Sequence, residues 1–120
     1  MALQAIRGAI QVDADDRDLI LDAISELVHA VLRRNDLTAE NLVSIIFTAT
    51  PDLTAEFPAY AARRAGMTDV PMLSATEIDV PGAMPRVIRL LAHVETAQSR
   101  HQLRHVYLRG AAALRTDLPT

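Results

Sequence analysis

Arginine is the residue type in this chain best suited to chemistry. All 12 Lys+Arg positions are arginine, because the sequence contains no lysine. Schiff-base chemistry and a phosphate-loop lysine are therefore excluded. The absence of cysteine removes thiol nucleophiles, disulfides and thiolate metal sites. Arg7 interrupts an apolar stretch, AIRGAI, and Arg89 interrupts another, VIRLL. Arg115 follows a run of alanines and a leucine. A charge among core residues is costly to bury alone, so each must snorkel to water, pair with an acid or meet a ligand. Two such arginines on separate strands suit a small anion with more than one carboxylate, which guanidinium forks hold in fixed geometry. Glu77, in SATEIDV, falls at the end of an expected strand, where sites are often built. Its plain alternative is a salt bridge to an arginine.

Other chemistries have less support. His101 and His105 are four apart, a metal-ligand spacing on a helix. The residues between them are Gln102, Leu103 and Arg104, with no glutamate base, and a third ligand is missing. Surface or structural histidines are the expectation, and no metal site. Neither GxGxxG nor GxxxxGK[ST] occurs, so nucleotide binding has no motif. The net charge of −3 argues against a nucleic-acid partner. No apolar run approaches transmembrane length, and Arg7 breaks the N-terminal stretch where a signal peptide would be apolar. The expected location is the cytoplasm, with no membrane partner.

The elements that must position these residues follow from periodicity. Residues 2–12 alternate loosely and read as a strand ending at an acidic turn. Asp13, Asp15, Asp16 and Asp18 suit a helix N-terminus. Leu19, Ile20, Ala23, Ile24, Leu27, Val28, Val31 and Leu32 then form one apolar stripe, which predicts a helix over about residues 16–34 closed by Asn35. LVSIIFTA, residues 42–49, reads as a buried strand, ended by the turn Thr50-Pro51-Asp52. Pro58 opens a shorter helix, PAYAARRA, and Gly66 stops it. Residues 70–75 read as a strand. PRVIRLLAHVET fits either period, but Ile88, Leu90, Ala92 and Val94 alternate with Arg89, His93 and Glu95, which favours a strand. Residues 104–109, RHVYLR, are the last expected strand, and the tail from about 116 is expected to be mobile. The fold class is mixed α/β (α+β): one domain over residues 1–120, with a single mixed sheet packed on one long and one short helix. Half the residues are apolar but only 3% are aromatic, so aliphatic side chains and alanines must fill the core.

Four blocks occur together and in order: IRGAI, TATPDLTAEFPAYAAR, EIDVPGAMPRVIRLL and LRHVYLRGAAALRTDL. TPDL followed by FPAxAxR is specific in combination, and RHVYL followed by LRxDL is a second anchor. From about Ile6 to Leu118 the chain resembles the AroH-type, trimeric class of chorismate mutase. The resemblance implies conversion of chorismate to prephenate by an intramolecular pericyclic rearrangement, without metal, cofactor or covalent intermediate. It also implies a homotrimer, a pseudo-barrel with an active site at each subunit interface.

By the same resemblance, Arg89 contacts the ether oxygen and a substrate carboxylate. Arg7 and Tyr107 hold the carboxylate of the enolpyruvyl side chain. Glu77 accepts a hydrogen bond from the substrate hydroxyl, and the backbone at Ser74 contacts that hydroxyl. Phe57, Ala59 and Arg63 form a wall supplied by the adjoining subunit. Met72, Leu73, Leu114 and Arg115 line or close the pocket. Ser74 departs from the cysteine common in the family, and Tyr60 from a lysine near the entrance. The segment between Arg63 and Val70 is one residue shorter than is usual. Two alternatives stay open: a RidA-like trimer that binds small carboxylates or deaminates imines, and a silent homologue acting as an assembly module.

Overall fold

The computed structural model describes residues 1–114 of the chain. These residues form five strands and two α-helices: β1 (Ala2–Gln11), α1 (Arg17–Arg34), β2 (Leu42–Ala49), α2 (Pro58–Arg64), β3 (Met72–Thr76), β4 (Val87–Thr96) and β5 (Val106–Leu108). Short 3₁₀ turns at Ala39–Asn41, Arg100–Gln102 and Arg109–Ala113 join them. The expectations for Arg115 and for the tail from about 116 lie outside the described residues.

The strands make one mixed sheet in the order β3-β2-β4-β1-β5. β4 is central and antiparallel to both β1 and β2. The edges are parallel pairs, β2 with β3 and β1 with β5. The ambiguous segment at 87–96 is a strand, as its alternation favoured. Ile88, Leu90, Ala92 and Val94 are buried in the main core, while Arg89, Leu91 and His93 are half-buried on the opposite face.

Helix α1 begins as expected: the Asp16 carboxylate caps it by accepting the N–H of Leu19 at 3.0 Å. Its buried residues, among them Ile20, Ile24, Leu27 and Val31, join Ile6, Ile10, Ile45, Phe47 and Val94 in one core. Gly8 lets the helix approach β1 closely, since a Cβ there would meet Leu27 and Leu90 at 3.2 Å. Helix α2 contributes buried Ala61 and Ala62, and Gly66 ends it at φ +113°, a conformation glycine adopts without strain. Both helices thus cover one face of the sheet and leave the other open, except where the Arg109–Ala113 turn packs over Ala9 and Val87.

Asn35, 2% exposed, closes α1 and fastens it to distant chain. Its Nδ2 donates to Val31 O at 2.8 Å and Arg104 O at 3.0 Å, and its Oδ1 accepts the Arg104 N–H at 2.6 Å. Gln98 Nε2 donates to the Asn35 carbonyl at 2.6 Å. A buried amide so bonded fixes where the chain enters β5. Removing it strands the Arg104 backbone groups, so Asn35→Ala should lower unfolding stability by about 2–3 kcal/mol. Urea unfolding followed by circular dichroism checks this, and an unchanged midpoint would contradict it.

Candidate active site

The site lies on the open face, and strand register alone assembles it. Directly paired residues on neighbouring strands project to the same side. One row runs Tyr107, Ala9, Arg89, Thr48, Ala75 across β5, β1, β4, β2 and β3. The next row holds Arg7, Leu91, Ile46 and Leu73. Arg7 and Arg89 are diagonal neighbours, roughly 7–8 Å apart along such a sheet. Arg7, Ile46, Thr48, Arg89, Leu91 and Tyr107 line a pocket of about 350 Å³. That volume suits a small metabolite. Two guanidiniums and a phenol around it suit an anion with more than one carboxylate.

Arg89 is held by an acid. Its Nε donates to Glu77 Oε2 at 3.0 Å, with side-chain exposures of 41% for Arg89 and 18% for Glu77. The Thr48 hydroxyl donates to the same Oε2 at 2.6 Å. Glu77 sits just past β3, where its N–H donates to Ala49 O at 2.9 Å and extends the parallel ladder by one step. The salt bridge that was the plain alternative for Glu77 is therefore present, and it lies in the site. Among the described residues, the Nη groups of Arg89 and the guanidinium of Arg7 carry no hydrogen bond and stand available for an anion.

The turn after β2 locks the start of β4, two residues before Arg89. Leu53 N donates to Thr50 O at 3.0 Å and closes the turn. The Thr50 hydroxyl donates to Asp52 Oδ1 at 2.5 Å and accepts the Val87 N–H at 3.0 Å. The Asp52 carboxylate accepts the Arg86 N–H at 3.0 and 3.2 Å. TPDL is thus a clamp that sets the register of the arginine strand.

A second pocket, about 370 Å³, lies at the β3 edge and is lined by Phe57, Ala59, Tyr60, Arg63, Met72, Leu73 and Ser74. It shares no lining residue with the first. The site residues expected from the sequence therefore divide into two groups at different places on one chain.

A family model, chorismate mutase type I, matches residues 3–118. The chain belongs to the chorismate mutase type I family. It is 50% identical over 117 residues to Chorismate mutase AroH of Thermus thermophilus, covering 97% of this chain and 96% of the relative. It is 38% identical over 119 residues to Chorismate mutase AroH of Bacillus subtilis (strain 168), covering 98% and 94%. A solved chorismate mutase from Clostridium thermocellum superposes with a TM-score of 0.89 at 41% identity, over 92% of this chain and 98% of that one. The matches favour the chorismate mutase family and give the RidA-like alternative no support.

Against the pattern of the chorismate mutase family, Arg7, Arg89 and Tyr107 meet in the first pocket and Glu77 joins them through Arg89. Phe57, Ala59, Arg63, Met72, Leu73 and Ser74 form the second group. The Ser74 side chain turns toward α2, where its Oγ accepts the Ala59 N–H at 3.0 Å. Leu114 does not line the first pocket. It packs on a small cluster of Ala9, Val87, Tyr107 and Ala111, on the open face beside it. Arg115 lies outside the described residues. Tyr60 has two arginines over its ring, with the guanidinium carbons of Arg17 and Arg64 each 6.0 Å from the ring centre. The hydrogen bond and charge of Arg64 hold the Tyr60 phenol below its ordinary range.

Thr48 escapes a sequence reading, whereas His105 is the structural histidine expected, with a partner that the sequence does not name. Thr48 is a β-branched residue in an apolar run, and its role appears only through register. His105 follows a 3₁₀ turn instead of sharing a helix with His101, and its Nδ1 accepts the Arg7 N–H at 2.9 Å. That bond ties the Arg7 backbone to the start of β5.

Asp15, one of the acids expected to serve the helix N-terminus, instead anchors the loop that carries Phe57. Its carboxylate accepts the Thr54 hydroxyl at 2.7 Å, the Thr54 N–H at 2.9 Å and the Ala55 N–H at 3.0 Å. The Thr54 hydroxyl first, then these N–H groups, hold its pKa below the ordinary 3.8. A depressed carboxyl pKa contributes stability that is present above the unfolded value and lost as pH falls through the folded one. The Thr54 and Ala55 amide resonances should therefore titrate with a midpoint below 3.8, and that titration should vanish in Asp15→Asn. A midpoint at or above 3.8 would contradict the anchor.

Proposed function

We propose that this chain is a chorismate mutase of one domain over residues 1–120, converting chorismate to prephenate by an intramolecular pericyclic (Claisen) rearrangement. The product lies on the way to phenylalanine and tyrosine, and we place the enzyme in the cytoplasm. The observation that carries the reading is the convergence of Arg7, Arg89 and Tyr107 on one pocket, with Glu77 paired to Arg89, in a member of this family. A carbon–oxygen bond breaks and a carbon–carbon bond forms within one molecule, so no proton need move.

Each side chain then has an electrostatic task. Negative charge grows on the ether oxygen as its bond to carbon breaks. The Arg89 guanidinium, oriented by Glu77, meets that charge and so stabilises the transition state more than the ground state. Arg7 and Tyr107 hold the enolpyruvyl carboxylate. Glu77 keeps a carboxylate oxygen for the substrate hydroxyl, and the backbone at Ser74 supports that contact. Phe57, Ala59 and Arg63, with Met72 and Leu73, form the facing wall. Leu114, packed on the cluster that holds Tyr107, flanks the pocket.

The two groups need two subunits. On one chain they are separate pockets, one across β5-β1-β4-β2 and the other at the β3 edge. A contact that brings one patch to a different patch of the next copy is head-to-tail, and it makes a ring when its rotation closes. The open face also carries Leu3, Ile46 and Leu73, which are 61%, 40% and 69% exposed. Apolar side chains so placed fit an interface between copies. With the copy number that the family resemblance implies, the reading is a homotrimer with the active site at each interface.

The direct test is to follow loss of chorismate absorbance with the purified chain; no loss at micromolar enzyme would sink the reading. Removing one donor of this kind costs about 10²–10³ in kcat. Arg89→Ala should lose at least that much in kcat, and Arg89→Lys should stay folded but badly impaired, since lysine lacks the fork. Retention of a tenth of wild-type kcat in Arg89→Ala would reject this role. Shared sites make a second expectation. Inactive Arg89→Ala and Arg63→Ala chains, unfolded and reassembled together, should regain about a quarter of wild-type activity, because a random ring pairs two intact halves that often. Persistent inactivity of the mixture would place each site within one chain.

A further inference from the structure

We propose that Thr48 is a positioning residue for the rearrangement: its hydroxyl fixes the Glu77 carboxylate against Arg89 before substrate arrives. The inference rests on the mutase reading and adds to it a residue that touches Glu77.

The argument begins with the backbone. Thr48 is paired with Arg89 across β2 and β4, and with Ala75 across β2 and β3. Glu77 leaves the sheet two residues after Ala75, its N–H still bonded to Ala49 O at 2.9 Å. Its carboxylate therefore has to swing back over Thr48 to reach Arg89. Without a second contact, a flexible glutamate and a partly exposed arginine form the kind of ion pair that holds geometry poorly.

Thr48 supplies that contact. Its Oγ to Glu77 Oε2 distance of 2.6 Å is in the range of a charge-assisted O–H to carboxylate bond. Threonine is stiff at χ1, so the hydroxyl is presented from a fixed place on the strand. Thr48 and Arg89 both bond Oε2, and among the described residues nothing bonds Oε1. One carboxylate oxygen is thus committed to the protein and the other is kept for a ligand hydroxyl. With Nε of Arg89 tied to the committed oxygen, the Nη edge of the fork is aimed by the same contact. Thr48 also lines the pocket with Arg7, Arg89 and Tyr107.

The test is a double-mutant cycle between Thr48→Val and Glu77→Ala, with Thr48→Ser as the conservative variant. Valine keeps the branched shape and a strand preference and replaces the hydroxyl with a methyl group that cannot donate. Loss of a hydrogen bond to a charged group predicts a fall in kcat of about ten- to a hundredfold for Thr48→Val. KM for chorismate should change by less than about threefold, because the aim of Arg89 matters most as charge develops on the ether oxygen. Thr48→Ser should return to within about threefold of wild type, since it restores the donor. In the Glu77→Ala background, Thr48→Val should cost less than about twofold, because the partner is gone.

An equal loss in both backgrounds would make Thr48 merely structural and overturn the proposal. So would a serine variant as poor as valine, or a valine variant as active as wild type. If Thr48→Val does not assemble, Thr48→Ala carries the same comparison. The same four chains are also compared in urea unfolding. A wild type that does not turn over chorismate, with coupling between Thr48 and Glu77 intact in unfolding, would reject the catalytic role through the mutase reading while the contact stood. A wild type that does turn it over, without coupling in either measurement, would reject the contact itself.

Discussion

A guanidinium on the central strand of a sheet is the constraint that the rest of this fold answers. β4 has partners on both sides, so Arg89 cannot leave the sheet plane by local rearrangement. Its neighbours Ile88 and Leu90 are buried beneath the helices, and strand alternation forces Arg89 to the other face. Were a second layer of the same chain to cover that face, the charge would be buried at a cost of several kcal/mol. The chain leaves the face open, ends β3 where Glu77 can reach across, and clamps the beginning of β4 through Thr50 and Asp52. The ion pair that results contributes little to stability, because it is partly exposed. Its value is geometric: a charge fixed in direction before a substrate binds.

The open face has one chemistry at one end and another at the other. The β5-β1-β4-β2 region offers Arg7, Arg89 and Tyr107, whereas the β3 edge sets Phe57 and Leu73 beside Tyr60 and Arg63. Phe57 is 70% exposed although it is a large apolar residue. Its loop is nonetheless held by Asp15 and by the start of α2, so the exposed ring is presented on a fixed support. Rigid presentation lowers the entropy lost when a second surface closes over it.

Much of this was legible in the sequence because alternation reports face. Arg7 and Arg89 interrupt apolar runs, and both stand on the uncovered side of their strands. The α1 stripe was equally plain, with Asp16 and Asn35 at its ends. Less legible was anything set by partners distant in the chain. Strand order, the parallel edges and the Thr48–Glu77 bond depend on which strands become neighbours, and period cannot report that. Asp15 lay in a cluster of acids that all suited a helix N-terminus, yet only Asp16 caps it while Asp15 reaches 39 residues away to Thr54. The last strand was expected at 104–109 and is Val106–Leu108, because Arg109 takes φ 54° and starts a 3₁₀ turn. Such turns are too short to show a period.

The position of β1 sets when the sheet can be finished. β1 lies between β4 and β5, with Ala2 opposite Thr96 and Gly8 beside Val106. A ribosome adds about 5–20 residues per second, so β1 waits several seconds for either neighbour to be synthesised. During that time α1 can form, but the apolar underside of β1 has no sheet to complete and is open to wrong partners. Productive folding is therefore delayed until β4 has emerged, after which Arg7 and Arg89 arrive on their common face in a single pairing event. The Arg7–Arg89 pocket and the centre of the sheet thus mature together, and a nascent chain stalled before β4 would have neither.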